Sequence, residues 1–154
     1  MDKLEYIPGD LVMTNGAQLG TARYVIYRVT SSDPSKTLKL DNGTVLKGVV
    51  CLENIEGAEL GERGYLSGDC CAWVKDIVPI NLAPAIMEKN GWKKLYEKSH
   101  EKFFEKNVNY IHLTIKLREN GYVAINRIFI MEIHYIHELQ HFLFGLGLSS
   151  EMEV

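Results

Sequence analysis

Between Pro8 and Ile80, short apolar runs are separated by glycine- and proline-bearing punctuation, and that rhythm restricts half of the chain to short strands joined by tight turns. Pro8-Gly9-Asp10 precedes Leu11-Val12-Met13, and Asn15-Gly16 follows it. Tyr24 to Val29 is β-branched and aromatic, a composition suited to a pleated, half-buried surface. Ser31 to Ser35 reads as a polar loop containing Pro34. Leu38-Lys39-Leu40 alternates, Asp41-Asn42-Gly43 marks a tight hairpin, and Val45 to Leu52 forms the returning strand. Ala72 to Ile77 is the last strand candidate of this half.

Five or so short strands at this spacing predict a small antiparallel barrel. The segment Gly9-Asp10-Leu11-Val12-Met13 resembles the first strand of SH3-like barrels. Pro79 to Pro84 then ends the barrel, and Pro84 opens a short helix, Ala85 to Lys89, that stops at Asn90-Gly91. Beyond it, a strand around Phe103, a period-two run from Tyr110 to Leu117, a turn at Asn120-Gly121 and a return at Tyr122 to Ile125 make a three-stranded sheet. Glu97 to Lys106 would also suit a helix by charge pattern. A helix from about Met131 to Leu146 places Ile133, Ile136, Leu139, Phe142, Leu143 and Leu146 on one stripe facing that sheet. The expectation is an α+β protein: residues 1–80 an SH3-like β-barrel, 81–95 a helical connector, and 96–154 an antiparallel sheet packed by a C-terminal amphipathic helix.

At 154 residues, with 46% apolar and 24% charged residues, the composition is that of a globular protein. A net charge of −3 gives no basic field that would indicate nucleic acid. No run of about 18 apolar residues suggests a membrane span, and the charged start, Met1 to Tyr6, has no apolar core of a signal peptide. Cys51, Cys70 and Cys71 are an odd number without C-x-x-C spacing, so reduced thiols in a cytoplasmic setting are expected.

The segment with the most explicit chemistry is His137-Glu138-Leu139-Gln140-His141, which spells H-E-x-x-H. Histidines four apart on a helix reach one zinc ion, and the intervening glutamate can act as general base. A zinc hydrolase with His137 and His141 as ligands and Glu138 as base is therefore an alternative reading. It needs a third ligand, and only 13 residues follow His141. His100 or His112 would have to come from a sheet packed on the opposite, apolar stripe. His134, His137 and His141 are instead expected to form the polar face of an amphipathic helix, with no metal.

Asp69-Cys70-Cys71 lacks the electropositive neighbour of a nucleophilic thiol, and alternation points one cysteine inward and one outward. Tyr27, Trp73 and Trp92, with Tyr24 and Tyr65, are candidates for lining a recognition groove, and Arg63 in the glycine-rich stretch Gly57 to Gly68 could meet an anion. That stretch lacks the lysine and helix of a phosphate-binding loop.

The Gly9-to-Val12 segment, Pro79-Ile80-Asn81-Leu82-Ala83-Pro84, Lys89-Asn90-Gly91-Trp92 and the final His137-x-Leu139-Gln140 helix together resemble uncharacterised small proteins carried by phages, prophages and mobile elements of gut bacteria. In that pattern a histidine at the place of His141 is not required. The resemblance implies a viral accessory setting. The function expected is a non-enzymatic binding protein, countering host defence by occupying a host protein or sequestering a small ligand such as a nucleotide. A homo-oligomer is expected, since exposed hairpin edges pair readily. A structural subunit of a phage particle is the remaining alternative.

Overall fold

The computed structural model describes residues 5–16, 25–55, 69–98, 101–117, 122–125 and 128–154, with backbone alone for 122–125 and 128–131. The chain divides into two units, Met1–Ile80 and Asn81–Val154.

The first unit begins at a type II turn. Pro8 presets the turn, Gly9 takes φ 98°, and the Asp10 N–H donates to the Ile7 carbonyl at 3.1 Å. Strands β1 (Leu11–Thr14), β2 (Tyr27–Lys39), β3 (Val45–Asn54), β4 (Cys70–Trp73) and β5 (Ile77–Pro79) form one antiparallel sheet in the order β4-β3-β2-β1-β5. Its inner face carries Val12, Tyr27, Val29, Val50, Leu52, Ala72 and Ile77, which pack with Tyr6 as one core.

The two edges of this sheet, β4 and β5, are joined only by the 3₁₀ turn Val74–Asp76. Five flat strands would set their edges about 19 Å apart, whereas three 3₁₀ residues advance about 6 Å. The sheet is therefore strongly curled. Among the described residues β4 and β5 do not pair, so the closed barrel expected from the sequence is corrected to an open, curled sheet. The reason lies in the turn: Ile77 N–H bonds back to the Val74 carbonyl, which re-aims the chain without reversing it. β5 then takes the free edge of β1, with Val12 opposite Pro79 and Thr14 opposite Ile77. Asn15 pins this junction. Its N–H donates to the Asp76 carbonyl at 3.0 Å and its Nδ2 to Asp76 Oδ1 at 2.9 Å.

Ser31 to Ser35 is not a loop but part of β2, where the register slips between Asp33 and Thr37. Asp33 Oδ1 accepts the Ser35 N–H at 3.0 Å and its hydroxyl at 2.7 Å, so the Pro34 segment satisfies itself locally and the strand resumes. The β2–β3 ribbon closes at Leu40–Thr44, with Gly43 at φ 84°, as its Asp-Asn-Gly sequence predicts.

In the second unit, β6 (Lys93–Lys98), β7 (Glu101–Val108), β8 (Ile111–Leu117), β9 (Tyr122–Ile125) and β10 (Ile128–Glu132) form an antiparallel meander in the order β10-β9-β8-β7-β6. The strand around Phe103 is β7. Two further strands flank the three expected. β6 is an edge strand whose charge content escapes an alternation test, and β10 takes residues expected to start the last helix. Helix α2 runs only over Ile136–Gly145.

The residues expected to connect two modules belong to this unit's core. Helix α1 (Pro84–Lys89) starts at Pro84 and ends in a Schellman motif: Gly91 N–H bonds to the Glu88 carbonyl and Trp92 N–H to that of Met87, both at 3.0 Å. Helix α2 ends the same way, through Gly147 to Phe144 and Leu148 to Leu143. Each motif drops its last residue, Trp92 or Leu148, into a common core with Met87, Phe104, Leu113, Ile115, Ile133, Leu139 and Leu143. The C-terminal tail is docked too, for Asn90 exchanges two hydrogen bonds with the Glu153 backbone, both at 2.7 Å. No helix among the described residues is long and apolar enough to cross a membrane.

Asn109 and Tyr110, at φ 47° and 70°, make the two-residue turn between β7 and β8. Both central positions need positive φ, which glycine tolerates and tyrosine does not. The Tyr110 side chain is fully exposed and offers no packing in return. Tyr110→Gly is expected to stabilise the second unit by about 1 kcal/mol, read as a higher urea midpoint.

Candidate functional site

The H-E-x-x-H segment sits at the start of α2, but its parts are used structurally. Glu138 Oε2 accepts the backbone N–H groups of His134 at 2.6 Å and Tyr135 at 3.1 Å. These donors precede the helix, so the carboxylate caps its first turn and sits favourably at the positive end of the dipole. His137 is not on a solvated face, since only 5% of it is exposed. Its ring stacks on Tyr135, with centroids 5.8 Å apart and planes at 10°, and meets His141 edge-on at 5.7 Å. Gln140, also expected to be polar and exposed, is buried and donates through Nε2 to the Ser150 carbonyl at 3.0 Å. The expectation of a polar histidine face is thus corrected: His137 is buried against Tyr135 and His141, and Gln140 is tied to the C-terminal tail.

His134 lies before the helix, and His112 is engaged elsewhere, its Nδ1 2.6 Å from Asn107 Oδ1 and its Nε2 3.6 Å from Glu105. Among the described residues, no group of three or more His, Cys, Asp or Glu side chains is placed to hold a metal ion. His100 lies outside the described residues.

The aromatic candidates separate. Tyr27 is fully buried on the inner face of β2, beside Cys70. Trp92 is in the core of the second unit, with Lys106 Nζ 6.0 Å above its ring. Neither lines a surface groove, because each supplies the bulk its small core needs. Trp73 is half-buried and opposes Val49 across β3 and β4. Arg63, Tyr24 and Tyr65 lie outside the described residues.

What sequence reading did not find is the partner of Cys51. The register of β3 against β4 sets Cys51 directly opposite Cys71, with their Sγ atoms 2.7 Å apart and both cysteines free. Alternation explains which cysteines meet. Ala72 points into the core, so Cys70 also points inward and Cys71 outward, while Val50 and Leu52 turn Cys51 outward. The hydrogen bond from the Cys71 thiol holds Cys51 below the usual thiol range, helped by a Ser31 hydrogen bond and the Lys36 charge. The same bond, with burial, pushes Cys71 up to about 11. Burial also pushes the Cys70 thiol up, and Asp69 adds to it. Lys36 of β2 adds a minor positive charge near both Cys51 and Cys71. The pair borders an open hollow of about 440 Å³, edged also by Thr30, Leu52, Glu53, Asp69 and Cys70. Asp69 Oδ1 accepts the Asn54 N–H at 2.9 Å and so tethers the end of β3 to the start of β4. Comparison of the chain with protein-family models, with curated proteins and with solved structures gave no match.

Proposed function

We propose that this chain is a non-enzymatic binding protein, an accessory factor of a phage or mobile element that acts in a bacterial host by occupying a host protein. The observation that carries this reading is the β2–β3 ribbon. At its end Leu38 and Leu40 are 48% and 38% exposed on one face, and Val45, opposite Lys39, is 58% exposed on the other. Exposed large apolar side chains on both faces of one ribbon end favour a protein partner over a small ligand, which calls for a concave, enclosed site. The first unit is SH3-like in this reading. Its strand order, with a single 3₁₀ turn linking the two edge strands, supports that assignment, and such scaffolds commonly serve as binding modules. The phage setting rests on the resemblance of the short sequence segments. The hydrolase reading loses support because the glutamate it needs as base is occupied as a helix cap.

The test is affinity purification from a bacterial host of the wild-type chain beside a Leu38→Asp/Val45→Asp variant, with quantitative mass spectrometry. Both substituted side chains are exposed, so the variant should keep its thermal midpoint to within about 2 °C. A stoichiometric host protein retained by the wild type and lost from the variant is the expected result. Equal retention by both chains, or no stoichiometric partner, would reject the reading.

A further inference from the structure

We propose that Cys51 and Cys71 form a redox-modification site, a dithiol that closes to an intramolecular disulfide by exchange with a small-molecule disulfide. The inference stands on the geometry of the sheet and is independent of the proposed partner. The two residues are register partners on neighbouring antiparallel strands, both side chains leave the outer face, and the sulfurs are 2.7 Å apart as free thiols. Closure requires only that the pair move together from there to a bond of about 2.05 Å, with no strand displaced. Cys70 also borders the hollow, but its side chain turns toward the inner face beside Tyr27, so the register pairs Cys51 with Cys71 and not with Cys70. With two outward thiols and no third, the site suits a two-electron dithiol reaction better than a three-thiolate metal centre.

The reaction has a defined order. Cys51, hydrogen-bonded by the Cys71 thiol and by Ser31 with Lys36 nearby, is the thiolate that attacks one sulfur of the small disulfide. That sulfur–sulfur bond breaks, Cys51 carries a mixed disulfide, and one small thiolate departs. The Cys71 thiol then gives its proton to solvent or to the departed thiolate and attacks the Cys51 sulfur, expelling the second small thiolate. Two protein thiols are oxidised and one small disulfide is reduced to two thiols. The adjoining hollow is open, so the small disulfide has access.

The test uses the full chain and glutathione disulfide, read by intact mass and by peptide mapping after thiol alkylation. The wild type should lose two hydrogen atoms per chain, yield a Cys51–Cys71 cross-linked peptide and leave Cys70 free for alkylation under denaturing conditions. Cys70→Ser should behave identically. Cys71→Ser should stop at a glutathione adduct on Cys51, and Cys51→Ser should react at least roughly tenfold more slowly than Cys71→Ser. Stable glutathione adducts on the wild type without closure, a cross-link that includes Cys70, or thiols that do not react would overturn the proposal. The wild-type mapping needs no substitution, so a misfolded variant cannot obscure the result.

Discussion

A Gly48→Val variant is expected to lose about 4 kcal/mol of stability in the first unit, a large fraction of what a small unit of ordinary marginal stability has. Gly48 lies inside β3 at φ 78°, where an L side chain is strained, and a β-branched one most of all. That backbone strain costs about 1–2 kcal/mol. The space is closed as well, because a Cβ built at Gly48 would stand 2.8 Å from Val74 Cγ2. Val74 has little freedom to give way, being β-branched and fixed in the 3₁₀ turn that re-aims the chain from β4 to β5. Overpacking of this kind adds about 1–3 kcal/mol. A Gly48→Ala/Val74→Ala double variant divides the two contributions: it should recover the steric part relative to Gly48→Ala alone and retain the backbone part. Urea denaturation of the three variants measures this. A Gly48→Val midpoint equal to that of the wild type would show that the curl of the sheet does not depend on this close approach.

The same position shows where the sequence was legible and where it was not. Turns are written locally, so Pro8-Gly9, Asp41-Asn42-Gly43, Pro84 and Asn90-Gly91 each announce the element boundary that the structure has there. Gly48 reads as one more residue of a strand, because its strain and its closeness to Val74 come from a partner well along the chain. For the same reason Ala72 to Ile77 reads as one strand: nothing within it marks the 3₁₀ turn, and β5 exists only because β1 offers it an edge. Phe129 to Ile133 satisfies both strand and helix periods, and the arbiter is Glu138, whose carboxylate fixes the helix start after those residues. The thiol pair was half legible. Alternation put one of Cys70 and Cys71 on each face without saying which, and the meeting of Cys71 with Cys51 depends on a register that only the folded β3–β4 pair defines.

Within H-E-x-x-H, the residue expected to matter most for stability is one the motif leaves unspecified. Leu139 is fully buried in the core shared by Met87, Trp92 and Phe104, so Leu139→Ala should cost about 3 kcal/mol through lost burial and the cavity left behind. Glu138→Gln keeps an oxygen that can accept the His134 and Tyr135 N–H groups and should cost less than about 0.5 kcal/mol, whereas Glu138→Ala abolishes the cap and should cost about 1–2 kcal/mol. A hydrolase would differ in activity and metal content, with Glu138→Gln folded but inactive and with zinc retained at one ion per chain. Chemical denaturation of the three variants, beside native mass spectrometry of the wild type, separates these cases. A graded loss in the order Leu139→Ala, Glu138→Ala, Glu138→Gln, in metal-free protein, assigns the segment to the fold. Stoichiometric zinc together with a hydrolytic activity lost only in the glutamate variants would assign it to catalysis.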